Sequence, residues 1–163
     1  MPRGNIRHVL SAQGVLCSNQ IKGGSTMQLS PYLFFNEGLC REAMTTYAEI
    51  LAGELGMIVE AADMPPEFPI DEDKKSWLAH CEVNFPDGKL MGSDSLAGPS
   101  EPMAGVNVML NFESREAAES AFNRLADGGE TTMPFAPTFW SAGFGMLTDR
   151  YGVRWMIGCD EAP

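Results

Sequence analysis

The chain has 163 residues, of which 44% are hydrophobic and 20% are charged, ordinary values for a single globular domain. Its net charge of −11 repels phosphate backbones, so we expect no nucleic-acid partner. No apolar run is long enough to cross a bilayer, so we expect no membrane partner and a cytoplasmic location. Four scattered cysteines lack metal-ligand spacing and are expected to be reduced and mostly buried: Cys17, Cys40, Cys81 and Cys159.

The first 26 residues differ from the rest of the chain. They have no sustained periodicity and end in Gly-Gly-Ser-Thr before a second methionine, Met27. A secretory signal peptide needs a longer apolar region than this segment contains. The sequence therefore predicts a flexible extension at 1–26, followed by one domain at 27–163.

Two stretches of the domain read as copies of one unit. The segments "CREAMTTYAEILAG" (Cys40–Gly53) and "SREAAESAFNRLAD" (Ser114–Asp127) both carry apolar residues at helical spacing, and each follows a predicted strand. These strands are Pro31–Asn36 and Gly105–Phe112.

Three further strand-like segments follow each predicted helix. The unit is therefore β-α-β-β-β, written twice, which indicates an internally duplicated α+β domain. We expect a first module at about 27–94, a linker at 95–104 and a second module at about 105–159.

The predicted strand "WLAHCEVNF" has apolar residues at its odd positions and mostly polar residues at its even positions. Such alternation indicates one face against a helix and one polar face, which carries His80 and Glu82. One interpretation is a general base oriented by a carboxylate. The alternative is a solvent-facing polar pair. A metal site would need a third group such as Asp94, which no spacing demands.

The stretch "TFWSAGFGMLTDRYGVRWMIGC" (Thr138–Cys159) is rich in aromatic residues and glycine. Trp140 and Phe144 flank small residues, where backbone can approach a ligand closely, and these two rings fit a pocket wall or a core equally well. We expect Trp155 in the core and Met156 as an adaptable filler. Asp149 is expected to cap the turn "DRYG" through its side chain.

Paired modules of this kind resemble the vicinal oxygen chelate superfamily, which includes glyoxalase I and extradiol dioxygenases. The segments "LSPYLFFN", "CREAM" and "FWSAGFGMLTDRYGVRWMI" are similar to its PhnB-like branch, over about Met27 to Cys159. The resemblance implies a curled mixed sheet with an internal cleft, and a homodimer. Some relatives carry a demethylubiquinone methyltransferase label, but no G-x-G-x-x-G turn for a methyl donor follows a strand here.

Superfamily enzymes hold a divalent ion with His, Gln or Glu on inward strand faces. The resemblance places the corresponding positions near Tyr32, on Asn107 and on Met156, which form no conventional nitrogen and oxygen site. We therefore expect no metal and no cofactor. Tyr32 and Asn107 would instead supply hydrogen bonds, and Trp140, Phe144 and Met156 would wall an apolar-aromatic pocket.

Two functions follow from these residues. The first is a metal-free protein that binds a small molecule. The alternative is a glyoxalase-type metal-dependent lyase or dioxygenase on an undefined substrate, with His80 and Glu82 as candidate catalytic residues. The sequence leaves open whether the chain is an enzyme.

Overall fold

The computed structural model describes residues 27–162, so the predicted extension 1–26 lies outside the described residues. The first module contains one α-helix and four strands: β1 (Tyr32–Phe35), α1 (Cys40–Leu51), β2 (Glu54–Glu60), β3 (Leu78–Phe85) and β4 (Gly88–Asp94). The second contains the same elements in the same order: β5 (Val108–Phe112), α2 (Arg115–Ala126), β6 (Glu130–Ala136), β7 (Phe144–Thr148) and β8 (Arg154–Cys159). The predicted α+β fold with two β-α-β-β-β modules is confirmed.

Each module forms its own four-stranded sheet, with the orders β1-β4-β3-β2 and β5-β8-β7-β6. In both sheets the first strand pairs parallel to the last strand of its module, and the other neighbours are antiparallel. The two sheets are thus mixed and share one topology, as expected from the duplicated sequence. Within residues 27–162, neither helix combines the length and apolar composition needed to span a bilayer.

The helices begin and end for local reasons. The Ser114 side chain accepts a hydrogen bond from the Ala117 backbone N–H, 3.2 Å away, which starts α2 at Arg115. Helix α1 ends at Leu51 because Ala52 takes a left-handed conformation with φ 54°. Both helices are therefore slightly shorter than the predicted segments.

Each helix covers one face of its sheet with the apolar stripe seen in the sequence. Helix α1 packs on β3 and buries Met44 and Tyr47 completely. Helix α2 packs on β7 and β8 and buries Phe122 and Leu125. Burying side chains of this size contributes about 1.5–3 kcal/mol each. The opposite face of each sheet, which we call its open face, is not covered by the helix of that module.

The two modules share one continuous core. The rings of Tyr47 on α1 and Trp155 on β8 meet edge to face, with centroids 5.2 Å apart. The buried Asp149 carboxylate accepts hydrogen bonds from the Tyr47 hydroxyl at 2.6 Å and from Trp155 Nε1 at 2.8 Å. It also accepts the backbone N–H groups of Tyr151 and Val153 at 2.9 Å. Asp149 thus caps its turn as predicted and, in addition, ties the second module to the first.

Candidate functional site

Four methionines lie side by side across the open face of the second sheet. Met109 on β5 pairs with Met156 on β8, Met156 pairs with Met146 on β7, and Met146 pairs with Met133 on β6. Residues that pair across neighbouring strands share a face of the sheet. The four thioether side chains therefore form one continuous strip, which we call the methionine row.

The methionine row lies outside the core. Its neighbours along β8, Trp155 and Ile157, point to the helix side and are fully buried, whereas Met156 is half-buried and Met109 is 47% exposed. Methionine has three rotatable bonds and a polarisable sulfur, so it adapts to the shape of a partner and contacts aromatic rings well. The row is an adaptable apolar surface.

Aromatic residues flank one side of this row, two residues along β7 from Met146. Phe144 pairs with Gly158, and its ring lies 5.7 Å from the Trp140 ring at an angle of 67°. Phe144 is nearly buried at 7% exposure, while Trp140 is 53% exposed. A side-chain carbon at Gly158 would lie 3.2 Å from Met109 Cε and 3.4 Å from Phe144 Cδ2. The glycine therefore leaves room for these groups to approach one another over the sheet.

Tyr32 and Asn107 line a common cavity of about 380 Å³ beside Met109. Tyr32 belongs to β1 and Asn107 lies just before β5, so the cavity lies between the first strands of the two modules. Trp140, Phe144 and Met156 do not line it. The predicted ligand-binding residues thus fall into two groups, and Met109 is common to both because it also pairs with Met156.

The open face of the first sheet carries a polar chain of contacts. The Tyr32 hydroxyl lies 3.1 Å from His80 Nδ1, and His80 Nε2 lies 3.3 Å from Glu82 Oε1. Lys89 Nζ donates to the other Glu82 oxygen at 3.0 Å. This hydrogen bond from Lys89, followed by that from His80, lowers the pKa of Glu82 below its ordinary value. His80 and Glu82 share one face, as the alternation in the sequence indicates.

Asp94 does not join His80 and Glu82. Its carboxylate accepts hydrogen bonds from the backbone N–H groups of Cys40 at 3.0 Å and Leu78 at 2.7 Å, at the start of α1 and of β3. Gly92, two residues earlier on β4, faces the Met44 sulfur of α1, so Asp94 points to the helix side as well. Asp94 therefore lies on the opposite face of the sheet from His80 and Glu82 and cannot be the third group beside this pair.

The acidic and thiol groups of residues 27–162 show no arrangement of three or more His, Cys, Asp or Glu side chains that could hold a metal ion. Three cysteines are buried and unpaired with one another: Cys40, Cys81 and Cys159. Burial raises the pKa values of the Cys40 and Cys81 thiols. These thiols are packed as small apolar groups.

The sequence did not reveal three residues of these surfaces. Lys89 completes the polar chain, and Met133 and Met146 complete the methionine row. In "FGMLT" and "RWMIG", Met146 and Met156 each lie between two buried neighbours. This alternation is the feature of the sequence that indicates that both methionines face away from the helix. Their alignment across strands depends on the register, which the sequence pattern alone leaves undetermined.

Comparisons with known proteins place this geometry in a family. Residues 27–158 match the family model described as 3-demethylubiquinone-9 3-methyltransferase. Protein YjdN from Escherichia coli strain K12 is 31% identical over 139 residues, covering 80% of this chain and 94% of that protein.

Two solved structures have the same fold. Protein PA1353 from Pseudomonas aeruginosa is 43% identical with a TM-score of 0.76, covering 82% of this chain and 98% of that one. A PhnB protein from Bacillus cereus is 24% identical with a TM-score of 0.68, covering 82% of this chain and 99% of that one. The chain belongs to the family of the matching model, which spans residues 27–158.

Proposed function

We propose that the chain is a metal-free binding protein for a small molecule, which lies on the methionine row against Trp140 and Phe144. The observation that carries this proposal is the row itself, four thioethers aligned across four strands on a face that α2 does not cover. A sulfur–aromatic contact contributes about 0.3–1.5 kcal/mol, and an aromatic pair about 0.5–1.5 kcal/mol beyond its buried area. A flat, apolar ligand would gain several such contacts at once.

One charged group adds a preference among apolar ligands. Arg154 lies two residues before Met156 on β8, so the two side chains share the open face. Arginine presents a planar set of donors that suits carboxylate and other oxyanions. We therefore propose a ligand with an aromatic body and one acidic group, the body on the methionine row and the acidic group at Arg154.

Tyr32 and Asn107 would add hydrogen bonds where the row meets the cavity beside Met109. A phenol and an amide can donate and accept, so they suit a polar substituent on the ligand. This role supports specificity more than affinity, since a net hydrogen bond contributes about 0.5–1.5 kcal/mol.

A second copy of the chain would complete the site. The open faces expose large apolar side chains in the single chain, with Phe34 of the first sheet 62% exposed and Met57 59% exposed. Large apolar groups exposed in this way are typical of surfaces that associate. We propose a homodimer in which the open faces contribute to one enclosed cleft, and sedimentation equilibrium would measure its mass.

Methyl transfer, which the name of the family model mentions, is not our proposal. Methyl-donor sites in parallel sheets use a glycine-rich turn at the end of a strand. The sheets of this chain are two separate mixed sheets with another topology. The methionine row and the aromatic pair support binding of an apolar body, and neither supplies a group that would carry a methyl transfer.

The test uses 8-anilinonaphthalene-1-sulfonate, a fluorescent probe with an aromatic body and one anionic group. We expect Met156→Ala to weaken probe binding about tenfold, which corresponds to about 1.4 kcal/mol. Met64→Ala is the matched control, because Met64 is also a half-buried methionine but lies in the loop between β2 and β3, outside the methionine row. Equal affinity for wild type and Met156→Ala would refute the proposed site.

Two further arms separate charge and metal effects. Arg154→Gln should weaken binding of the anionic probe but leave the affinity for the neutral probe N-phenyl-1-naphthylamine unchanged. Treatment with EDTA should alter neither binding nor the thermal midpoint. A loss on EDTA treatment that one divalent metal restores would overturn the proposal and favour the metal-dependent lyase or dioxygenase.

A further inference from the structure

The polar chain on the open face of the first sheet has the geometry of an activated nucleophile. Such a group has its hydroxyl within about 2.6–3.2 Å of a base, and a third residue orients that base. Tyr32 Oη lies 3.1 Å from His80 Nδ1, and Glu82 lies 3.3 Å from the other ring nitrogen. These three residues come from β1 and β3, which lie on either side of β4 in the sheet.

The contacts of Glu82 determine which nitrogen of His80 carries the proton. Lys89 and His80 lower the pKa of Glu82, so the group is an ionised carboxylate at neutral pH and can only accept hydrogen bonds. His80 Nε2 must then carry the hydrogen that points to Glu82, and a neutral imidazole has a free lone pair on Nδ1. When the His80 imidazole is neutral, the Tyr32 hydroxyl therefore donates to Nδ1, which is the direction a base requires.

We propose that Tyr32 is a nucleophile activated by His80 and Glu82, for small electrophiles that carry an aromatic body and a leaving group. The phenol oxygen forms a bond to the electrophilic atom while its proton moves to His80 Nδ1. The leaving group departs with the electron pair of the bond that breaks, and Glu82 balances the charge of the resulting imidazolium. This site shares Tyr32 with the proposed ligand-binding surface, but the labelling of Tyr32 does not depend on whether the methionine row binds a ligand.

The surroundings of Tyr32 admit such a molecule. Its side chain is 40% exposed, and the exposed Phe34 ring lies 5.3 Å from its own ring on the same face. Met91 pairs with both Tyr32 and Glu82, so an apolar side chain lies between the nucleophile and the carboxylate. An aromatic body can therefore contact Phe34 and Met91 while its reacting atom meets the phenol oxygen.

The other two tyrosines of the chain serve as internal controls. Tyr47 is fully buried and donates to Asp149. Tyr151 is partly exposed, and its hydroxyl donates to the Glu42 carboxylate at 2.9 Å and accepts from the Arg150 guanidinium at 2.8 Å. A carboxylate is a weaker base than an imidazole, by about two pKa units in their ordinary values. Tyr151 thus offers an accessible phenol without a base of comparable strength.

The test is covalent labelling of the whole chain by phenylmethanesulfonyl fluoride at neutral pH. The reagent transfers its sulfonyl group to a phenol oxygen and releases fluoride, and peptide mass mapping gives a separate rate for each tyrosine. We expect Tyr32 to react at least ten times faster than Tyr151. His80→Gln should lower the labelling rate of Tyr32 about tenfold and leave the labelling rate of Tyr151 unchanged.

Glu82→Gln provides a second variant in case His80→Gln fails to fold. Its amide can donate to His80 Nε2, which moves the imidazole hydrogen to Nδ1 and removes the lone pair that accepts the Tyr32 proton. Labelling of Tyr32 should therefore slow even though Tyr32 and His80 remain in contact. A Tyr32 rate no faster than that of Tyr151, or one that neither variant changes, would overturn the proposal.

Discussion

Asp149 is the single side chain on which the contact between the two modules depends most. Its carboxylate accepts four hydrogen bonds at 2.6–2.9 Å, from Tyr47, Trp155 and two backbone N–H groups. We therefore expect Asp149→Ala to lower the free energy of unfolding strongly. The change removes the acceptor but leaves the buried donors in place.

The magnitude follows from the donors that lose their partner. A buried polar group left unsatisfied costs about 1–3 kcal/mol, and the Tyr47 hydroxyl and Trp155 N–H are both buried. Allowing for water at the turn, Asp149→Ala should cost about 3–5 kcal/mol. For a chain of this size about 2–4 °C is lost per kcal/mol, so the thermal midpoint should fall by about 6–20 °C.

The assay is urea unfolding followed by tryptophan fluorescence, with calorimetry for the thermal midpoint. Tyr47→Phe is the matched variant, because it removes one hydrogen-bond donor and leaves Asp149 with its other three donors. It should lower the free energy of unfolding by about 1–2 kcal/mol. The double variant should show a coupling energy of about 1–2 kcal/mol, since the two side chains are in contact. A loss below 1 kcal/mol for Asp149→Ala, with no coupling to Tyr47, would refute this account of the module contact.

Three further predictions concern single residues. Burial raises the pKa of Asp94 above its ordinary value of 3.8, despite its backbone hydrogen bonds, so the folded state binds the proton more tightly than the unfolded state does. The free energy of unfolding relative to Asp94→Asn should therefore be greatest below pH 3.8 and should fall as pH rises. Urea titrations at a series of pH values measure this difference. Gly38 has φ 77° and a methyl group there would lie 2.7 Å from Trp77 Nε1, so Gly38→Ala should cost about 1–3 kcal/mol, while Gly88→Ala, with open space around it, should change stability little. Burial raises the pKa of the Cys40 thiol, so iodoacetamide should leave it unmodified in the native state and alkylate it in denaturant. Mass spectrometry of the peptides measures both rates, and equal rates in the two states would contradict the burial of Cys40.

Local patterns in the sequence determined the elements of this protein and the faces of its strands. The helices at Cys40–Leu51 and Arg115–Ala126 follow from apolar residues at helical spacing, which decides the buried stripe of a helix without reference to the rest of the chain. The shared face of His80 and Glu82 follows from the two-residue period of a strand. The duplicated order of elements, read from two similar segments, is the order that the structure shows.

Tertiary structure decided which distant residues meet. Tyr32 contacts His80 across 48 positions, and Tyr47 contacts Asp149 across 102 positions. Such contacts depend on strand order and register, because a shift of one residue in a strand moves every side chain to the opposite face. The methionine row has the same origin, since four separate strands must align before their thioethers form one surface. Asp94 shows the converse case, in which a residue near His80 and Glu82 in the sequence lies on the other side of the sheet.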